Sequence, residues 1–467
     1  MTNTAAPKAG LLPFYLKLYD EHMPERRAEF TPYLQRITAA LETRGIAVQC
    51  APVCRVAAEF EAAVRQLEAD GVECLITLHL AYSPSLEALD VFCKTELPII
   101  ILDATMDAEF GCGVSPERIM YNHGIHGVMD FASMLRRRRR AFEIVAGHET
   151  DPKVPGRVAE LVRAAVAART LKRSRVLRVG SAFAGMGDFS VAQEVMAEKL
   201  GVHVQQITLD ELDLAVSDVS DEAVSQEVAD DRLRFSCELP ADVHASSVRV
   251  GLGLRHILET GGYQAFSINF QAFSRGDRPS NVMPFLEICK AMGRGVGYAG
   301  EGDVLTASLV GVLSCAFDAV TFTEIFCPDW AGDSLFLSHM GEINPELAAD
   351  TPRVIAKPFL IGGALTPAVL TCTVKPGPAV FVNLAPGPDD TFSLIVVPVD
   401  VLAENAPLAP GMRDAVRMWV RPPGGVASFL EAYSRVGGTH HSALVLGNHA
   451  GAISAFGRMM GLTTVEL

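Results

Sequence analysis

No stretch of this 467-residue chain reaches the roughly 18 consecutive apolar residues that a membrane span needs, and no basic N-terminal region precedes a sustained apolar run. Both absences lead to the expectation of a cytoplasmic protein with no membrane partner. Close cysteine pairs are also missing. The ten cysteines are scattered singly, and only Cys50 and Cys54 lie near each other, so reduced core thiols are expected rather than a zinc ribbon or a disulfide framework. Nor is there an excess of positive charge: 40 Lys and Arg against 55 Asp and Glu give a net charge of -15, a field that repels polyanions and excludes nucleic acid as a partner. The one basic cluster, Arg136 to Arg140, follows the apolar Phe131-Ala132-Ser133-Met134-Leu135 and fits a helix ending in solvent or at a subunit contact. Apart from that run there is no internal repeat or low-complexity tract.

What remains is the composition of a large globular protein, 49% hydrophobic and 20% charged, with enough chain for two or three cores. Phe30, Leu34, Ile37 and Leu41 fall at helical spacing over residues 25 to 44, and Gly45 is placed to end the helix. Short apolar runs at Cys74 to Leu78 and Pro98 to Leu102 follow helical segments, the pattern of βαβ units in a parallel sheet. A helix over 155–172 leads into a strand at Val176 to Gly180, where a second α/β region begins, with helices near 191–200 and 220–232 and a strand at Ala265 to Phe270. Gly180, Gly185 and Gly187 follow the strand but miss the dinucleotide spacing, and read as a plain strand-to-helix turn. Beyond residue 317 the texture turns to β runs: Ala319 to Phe326, Ala368 to Val374, Ala379 to Leu384 and Phe392 to Val399. The loops between the last three are too short for crossover helices, so antiparallel strands of a barrel or sandwich are expected. The fold expected is α/β: two doubly wound domains, 1–172 and 173–316, followed by a mostly antiparallel, barrel-like domain at 317–467.

Ligand-type side chains concentrate at four places: Glu301 in Gly297-Tyr298-Ala299-Gly300-Glu301-Gly302-Asp303, Glu324 in a largely apolar strand, His339, and the pair His440-His441. A carboxylate flanked by glycines sits where backbone can approach a ligand closely, and a charge inside an apolar strand needs a partner. Two carboxylates and two imidazoles form a mixed oxygen and nitrogen set that suits Mn²⁺, Co²⁺ or Zn²⁺. The alternative is that Glu301 caps a helix starting near Asp303 and the histidines are hydrogen-bonded core residues.

The string Gly-Tyr-Ala-Gly-Glu-Gly-Asp at 297–303, then Glu324, then Ser338-His339-Met340 with Glu342 and Pro345, then Gly437-Gly438-Thr439-His440-His441, resembles the L-arabinose isomerase family in motif and order. Ile361-Gly362-Gly363 and the three-part plan are similar to that family too. The resemblance implies that Glu301, Glu324, His339 and His441 bind a divalent metal, usually Mn²⁺ or else another such as Co²⁺, and that His440 contacts the sugar. It further implies that His126, in Gly124-Ile125-His126-Gly127, reaches the site of a neighbouring subunit of a homo-oligomer, a hexamer of two trimers. For His126 alone, a buried structural histidine is the alternative reading.

The implied reaction is aldose–ketose isomerisation through an enediol, with Glu301 and Glu324 sharing the proton transfers. Metal-assisted epimerisation or aldol cleavage, or sugar binding without turnover, would use the same fold. Departures cluster where the sugar would lie. Leu16 and Lys17 stand where the family has glutamine and histidine, His79-Leu80-Ala81-Tyr82-Ser83-Pro84 replaces Leu-His-Thr-Phe-Ser-Pro, and Ile325 replaces an acid. Hydroxyl recognition at Leu16 and Lys17 therefore differs, and a sugar other than, or in addition to, L-arabinose is expected.

Overall fold

A computed structural model describes residues 6–273, 277–359 and 364–467. The Ile361-Gly362-Gly363 motif lies outside the described residues. The chain divides into two compact units, one holding the residues up to Arg169 with Ala455–Gly461, the other Thr170–Ser454 with Leu462–Leu467.

In the first unit, β1 (Lys8–Phe14), β2 (Ala47–Cys50), β3 (Cys74–His79), β4 (Ile99–Asp103) and β5 (Glu143–Ala146) form a wholly parallel sheet in the order β2-β1-β3-β4-β5. Every residue of β3 is buried, as its unbroken apolar run requires of a strand covered on both faces. The helix expected over 25–44 starts as a 3-10 turn, Pro24–Phe30, and becomes α-helical at Thr31–Glu42, where Pro32 occupies the first turn and costs no hydrogen bond. The arginine run closes the helix Ile125–Arg137. Arg140 turns back to donate to the carbonyls of Phe92, Thr95 and Leu97 at the end of the helix Leu86–Lys94.

The second unit begins with β6 (Arg175–Val179), β7 (His203–Ile207), β8 (Ser236–Glu238), β9 (Ala265–Ile268) and β10 (Gly297–Gly300). Four of these make a second parallel sheet, β10-β9-β6-β7. The helix that follows β10, Val304–Ala316, is buried over most of its circumference, which is why its sequence shows almost no polar face. Then come β11 (Val320–Asp329), β12 (Ser334–Ser338), β13 (Arg353–Ala356), β14 (Ala368–Thr371), β15 (Gly377–Pro386), β16 (Phe392–Val401), β17 (Met418–Arg421), β18 (His441–Leu446) and β19 (Thr463–Glu466). Antiparallel pairing runs β15-β18-β11-β12-β17-β16 and closes from β16 back to β15, a six-stranded barrel without a free edge, with β19 added parallel to β16.

One expected barrel strand lies elsewhere. The run at Ala368 to Val374 forms β14, which pairs antiparallel with β13 in a small sheet completed by β8. Alternation and loop length announce a strand but do not choose its partner, and Leu370 finds Val354 opposite it rather than a barrel neighbour.

Three helices beside the parallel sheet are joined by buried ions. Glu227 of the helix Asp221–Arg234 accepts from Arg255 at 2.6 and 3.0 Å and from Lys290 at 2.5 Å, and Lys290 also reaches Asp231 at 2.9 Å. Although burial alone would raise it, these two cations hold the Glu227 carboxyl down at about 2. A depressed carboxylate contributes stability that is present above the unfolded value near 4.5 and lost as pH falls toward 2. Thermal melts should show Glu227→Gln destabilised by about 3–5 kcal/mol at neutral pH, the gap to the unmodified protein closing between pH 4.5 and 2. A gap independent of pH would remove the ionic account.

Candidate functional site

Glu301 stands at the end of β10 in a left-handed conformation, φ +63°, that costs a non-glycine residue about 1–2 kcal/mol. Gly302 follows at φ +81°, and a Cβ there would lie 2.5 Å from the Ser181 carbonyl, so only glycine fits. Asp303 then caps the helix Val304–Ala316, accepting from the Thr306 amide at 2.9 Å. The sequence between the strand and this helix thus forces a turn that puts the Glu301 carboxylate at the sheet's C-terminal end.

The barrel supplies the other groups by register. Glu324 on β11 pairs with His441 on β18 and with Ser338 on β12, one residue before His339. Directly opposed residues point to the same face, so Glu324 and His441 share one side of the barrel wall. Phe322, two residues before Glu324, lies on that face and packs edge-on against both His339 and His441, with centroids 4.8 and 5.0 Å away. Asn383 of β15 donates to the His441 carbonyl at 2.7 Å and to Thr439 Oγ1 at 2.6 Å, fixing the backbone of the Gly-Gly-Thr-His-His segment.

Each of the three histidines is tied to a carboxylate through Nδ1. His441 meets Asp303 at 3.0 Å with both side chains fully buried; His440 meets Asp188 at 2.6 Å; His339 meets Glu342, which also accepts from the buried Tyr298 hydroxyl at 2.9 Å. A carboxylate at Nδ1 fixes the ring and leaves Nε2 for a ligand. Two ligand triads result, Glu301 with His440 and His441, and Glu324 with His339 and His441, the donor atoms of each lying within 4.8 Å of one another. Glu301 Oε2, His440 Nε2 and His441 Nε2 are buried without a hydrogen-bond partner. Buried polar atoms are rarely left so; a divalent cation would satisfy Glu301 Oε2 and His441 Nε2, with His440 Nε2 left to face a polar ligand beside it, so this donor set fits a metal.

Burial pushes the Glu324 carboxyl up. Glu301 is held down by the imidazolium of His440, whose Nε2 is 3.8 Å from Oε2, an ionic attraction rather than a formed hydrogen bond. Burial by itself would depress His440, but it is outweighed by Asp188 and then Glu301, which raise it to about 10. Asp188 is correspondingly lowered to about 2: its own burial works the other way and is overcome by its bonds to the His440 ring and amide.

Glu301, Glu324, His339, His440 and His441, all singled out in the sequence, are therefore brought together. Glu301 does not cap the helix, since Asp303 does. The histidines are buried or half-buried and hydrogen-bonded, yet their Nδ1 bonds leave Nε2 for the cluster. Leu16, Lys17 and His126 belong to the first unit. Leu16 is the extended N-cap of the helix Lys17–His22, and Lys17 is exposed and ion-paired with Glu21 at 3.6 Å. His126 is exposed, which rules out a buried structural histidine, and its ring lies 6.0 Å from His123 and 6.3 Å from Tyr82. His123 Nε2 in turn meets the Tyr19 hydroxyl at 3.1 Å. Leu16 and Lys17 follow β1 and Tyr82 follows β3, neighbouring strands at whose C-terminal ends the order of this sheet reverses, the usual place for a ligand in an open α/β sheet.

The sequence reading missed Asp188 and Phe189. The glycine-bearing loop after β6 is no plain turn: its Phe183 amide donates to the Glu301 carbonyl at 2.9 Å, it carries Asp188 to His440, and Phe189 stacks on His441 at 5.4 Å and 8°. Nothing in the local pattern marks Asp188, which is 252 residues from its partner. Asp303 and Glu342 both stand in the quoted motifs, one where the helix was expected to start and the other three residues after His339, but their link to the imidazoles was not legible.

A parallel α/β sheet and a closed antiparallel barrel meeting at a carboxylate–histidine cluster beside a cavity define a class of protein whose donor set fits a divalent cation. Comparison with known proteins narrows this. The profile of the L-arabinose isomerase central domain matches residues 175–317, and that of the L-arabinose isomerase C-terminal domain matches residues 319–463. The L-arabinose isomerase of Nocardioides sp. is 32% identical over 69% of this chain and 66% of its own length, just under two thirds. Those of Acidothermus cellulolyticus and Mycolicibacterium smegmatis are each 30% identical over 74% of this chain and 70% of theirs. The chain belongs to the L-arabinose isomerase family.

Asp303 serves both the helix and His441, and two substitutions separate these roles. Asp303→Asn keeps an acceptor for the Thr306 amide but turns an NH2 toward His441 Nδ1, favouring the wrong tautomer. Calorimetric Mn²⁺ titration should show a 10–100-fold weaker affinity, roughly, for both Asp303→Asn and Asp303→Ala, with only the alanine variant losing an additional ~1 kcal/mol of stability. Unchanged Mn²⁺ affinity in both would refute the role assigned to the Asp303–His441 bond.

Proposed function

We propose that the protein is a divalent-metal-dependent aldose–ketose isomerase that works through an enediol on a sugar other than, or in addition to, L-arabinose. The observation that carries this reading is the convergence of two glutamates on three imidazoles, each imidazole held at Nδ1 by its own carboxylate. Sugar binding alone needs no second acidic group beside the first, whereas moving a carbonyl between C1 and C2 needs one group to shuttle a proton between carbons and another to shuttle one between oxygens.

Glu301, Glu324, His339 and His441 would hold the cation, Mn²⁺ or another such as Co²⁺. Once bound, it would supply Lewis acidity toward the two substrate oxygens, where negative charge builds. Glu301 and Glu324 divide the proton work, one taking a proton from carbon and returning it to the adjacent carbon, the other exchanging protons between O1 and O2. His440, fixed by Asp188 on one side and facing Glu301 on the other, is the sugar contact among the histidines. The closed barrel wall and Phe189 and Phe322 keep bulk water from His441, which is fully buried.

His126, Leu16 and Lys17 are proposed as further sugar contacts, His126 reaching the site of a neighbouring subunit in a homo-oligomer, a hexamer of two trimers. Their place at the reversal point of the first sheet supports a ligand role. No helix among the described residues is long and apolar enough to cross a membrane, and we place the enzyme in the cytoplasm. The division at 1–172, 173–316 and 317–467 is supported by the two family profiles, which meet between 317 and 319.

Glu301→Gln and Glu324→Gln should each lower kcat by about 10²–10⁴-fold without changing the far-UV circular dichroism. The assay is NMR-detected proton exchange at C1 or C2 with a panel of aldoses and ketoses and the Mn²⁺-loaded protein. Full activity in either variant would remove that glutamate from the proton transfers.

A further inference from the structure

The cation cluster opens into a cavity of 480 Å³ whose wall beyond Glu301, Glu324 and His339 is unusually poor in polar groups for a sugar site. Phe270, Met283, Phe285, Phe326, Met340 and Phe359 make most of it. Three of the rings pack edge to face in series, Phe270 against Phe359 at 6.0 Å and Phe359 against Phe285 at 5.7 Å. The remaining polar side chains on the wall are largely committed: the Tyr298 hydroxyl donates to Glu342, Glu342 also holds His339, and Lys357 Nζ donates to the Asp414 carbonyl at 3.2 Å. Among the described residues that line the cavity there is no Ser, Thr, Asn or Gln.

A fully hydroxylated chain laid along the ring-lined part of this wall would leave hydroxyls against phenyl rings, stripped of water with no partner there, which costs about 1–3 kcal/mol for each group. An apolar substituent would gain there instead. The volume also falls in the range of about 300–1,000 Å³ that accommodates drug-sized ligands, larger than a pentose requires. We propose that the Phe270–Phe285–Phe359 wall selects a sugar whose end remote from C1 and C2 is apolar, either the methyl terminus of a deoxy sugar or an alkyl or aryl ether, over the fully hydroxylated parent. This rests on the isomerase reading for the placement of C1 and C2 at the glutamates.

The test takes aldohexoses through their configurations as matched sets of parent, 6-deoxy counterpart and 6-O-benzyl ether. Isomerisation by the Mn²⁺-loaded full chain is followed by NMR, and binding of the corresponding alditols, which cannot isomerise, by calorimetry. In the preferred configuration the 6-deoxy or the benzyl member should show kcat/KM and alditol affinity about tenfold above the parent; which of the two leads identifies the apolar group. Phe326→Ser, at the exposed rim, and Phe359→Asn should each narrow that ratio. A parent handled as well as both apolar members overturns the selectivity and leaves the isomerase reading standing. Apolar alditols preferred in binding with no sugar isomerised sustains the wall's preference and overturns the isomerase reading. Neither turnover nor alditol binding in any set overturns both.

Discussion

An imidazole has two nitrogens, and which one is left to bind depends on what the other is doing. In this protein the choice is made three times in the same way: Asp188, Glu342 and Asp303 each take an Nδ1, of His440, His339 and His441, and Nε2 is left for the space between Glu301 and Glu324. Everything else in the second unit can be read as the means of holding those three acids and three rings in register. Remove the acids and the rings are free to turn, the Nε2 atoms no longer converge, and Glu301 and Glu324 repel one another without compensation.

The holding devices differ in kind, and their differences follow from where the chain must come from. Glu301 and Asp303 are placed by a strained turn between a parallel strand and a buried helix, with Gly302 as the residue that lets backbone pass backbone. Glu324, His339 and His441 are placed by strand register in a barrel that has closed on itself, so that slippage of one strand would have to be matched by all. Asp188 comes from the long loop after β6, and that loop is tied down by the bond from its Phe183 amide to the carbonyl of Glu301. The parallel sheet and the barrel therefore share one site, and neither supplies all of its donor groups alone.

Much of this was legible in the sequence. A glutamate between two glycines, another inside an apolar strand and a histidine pair after Gly-Gly-Thr all depart from what packing would choose, and such departures mark function because packing does not explain them. The alternation of short buried strands with amphipathic helices, and then of β runs with short loops, gave the fold class because it reflects which faces must be covered. Partner choice was not legible. Nothing local tells Ala368–Thr371 to pair with Arg353–Ala356 rather than join the barrel, and nothing near Asp188 announces a histidine 252 residues away. Asp303 shows a subtler limit: the sequence marks only that a helix starts near it, its cap bond is seen only in the folded chain, and its bond to His441 is visible only when the barrel is in place.

The glutamates and imidazoles act as one site only if they share one cation. Electron spin-echo spectroscopy of the protein with one equivalent of Mn²⁺ addresses this directly, since nitrogen nuclei of coordinated imidazole modulate the echo. One tightly bound Mn²⁺ per chain with modulation from histidine nitrogen, diminished when His441 is replaced by glutamine, is the result the structure predicts. A Mn²⁺ signal showing water ligands only, at any stoichiometry, would contradict it.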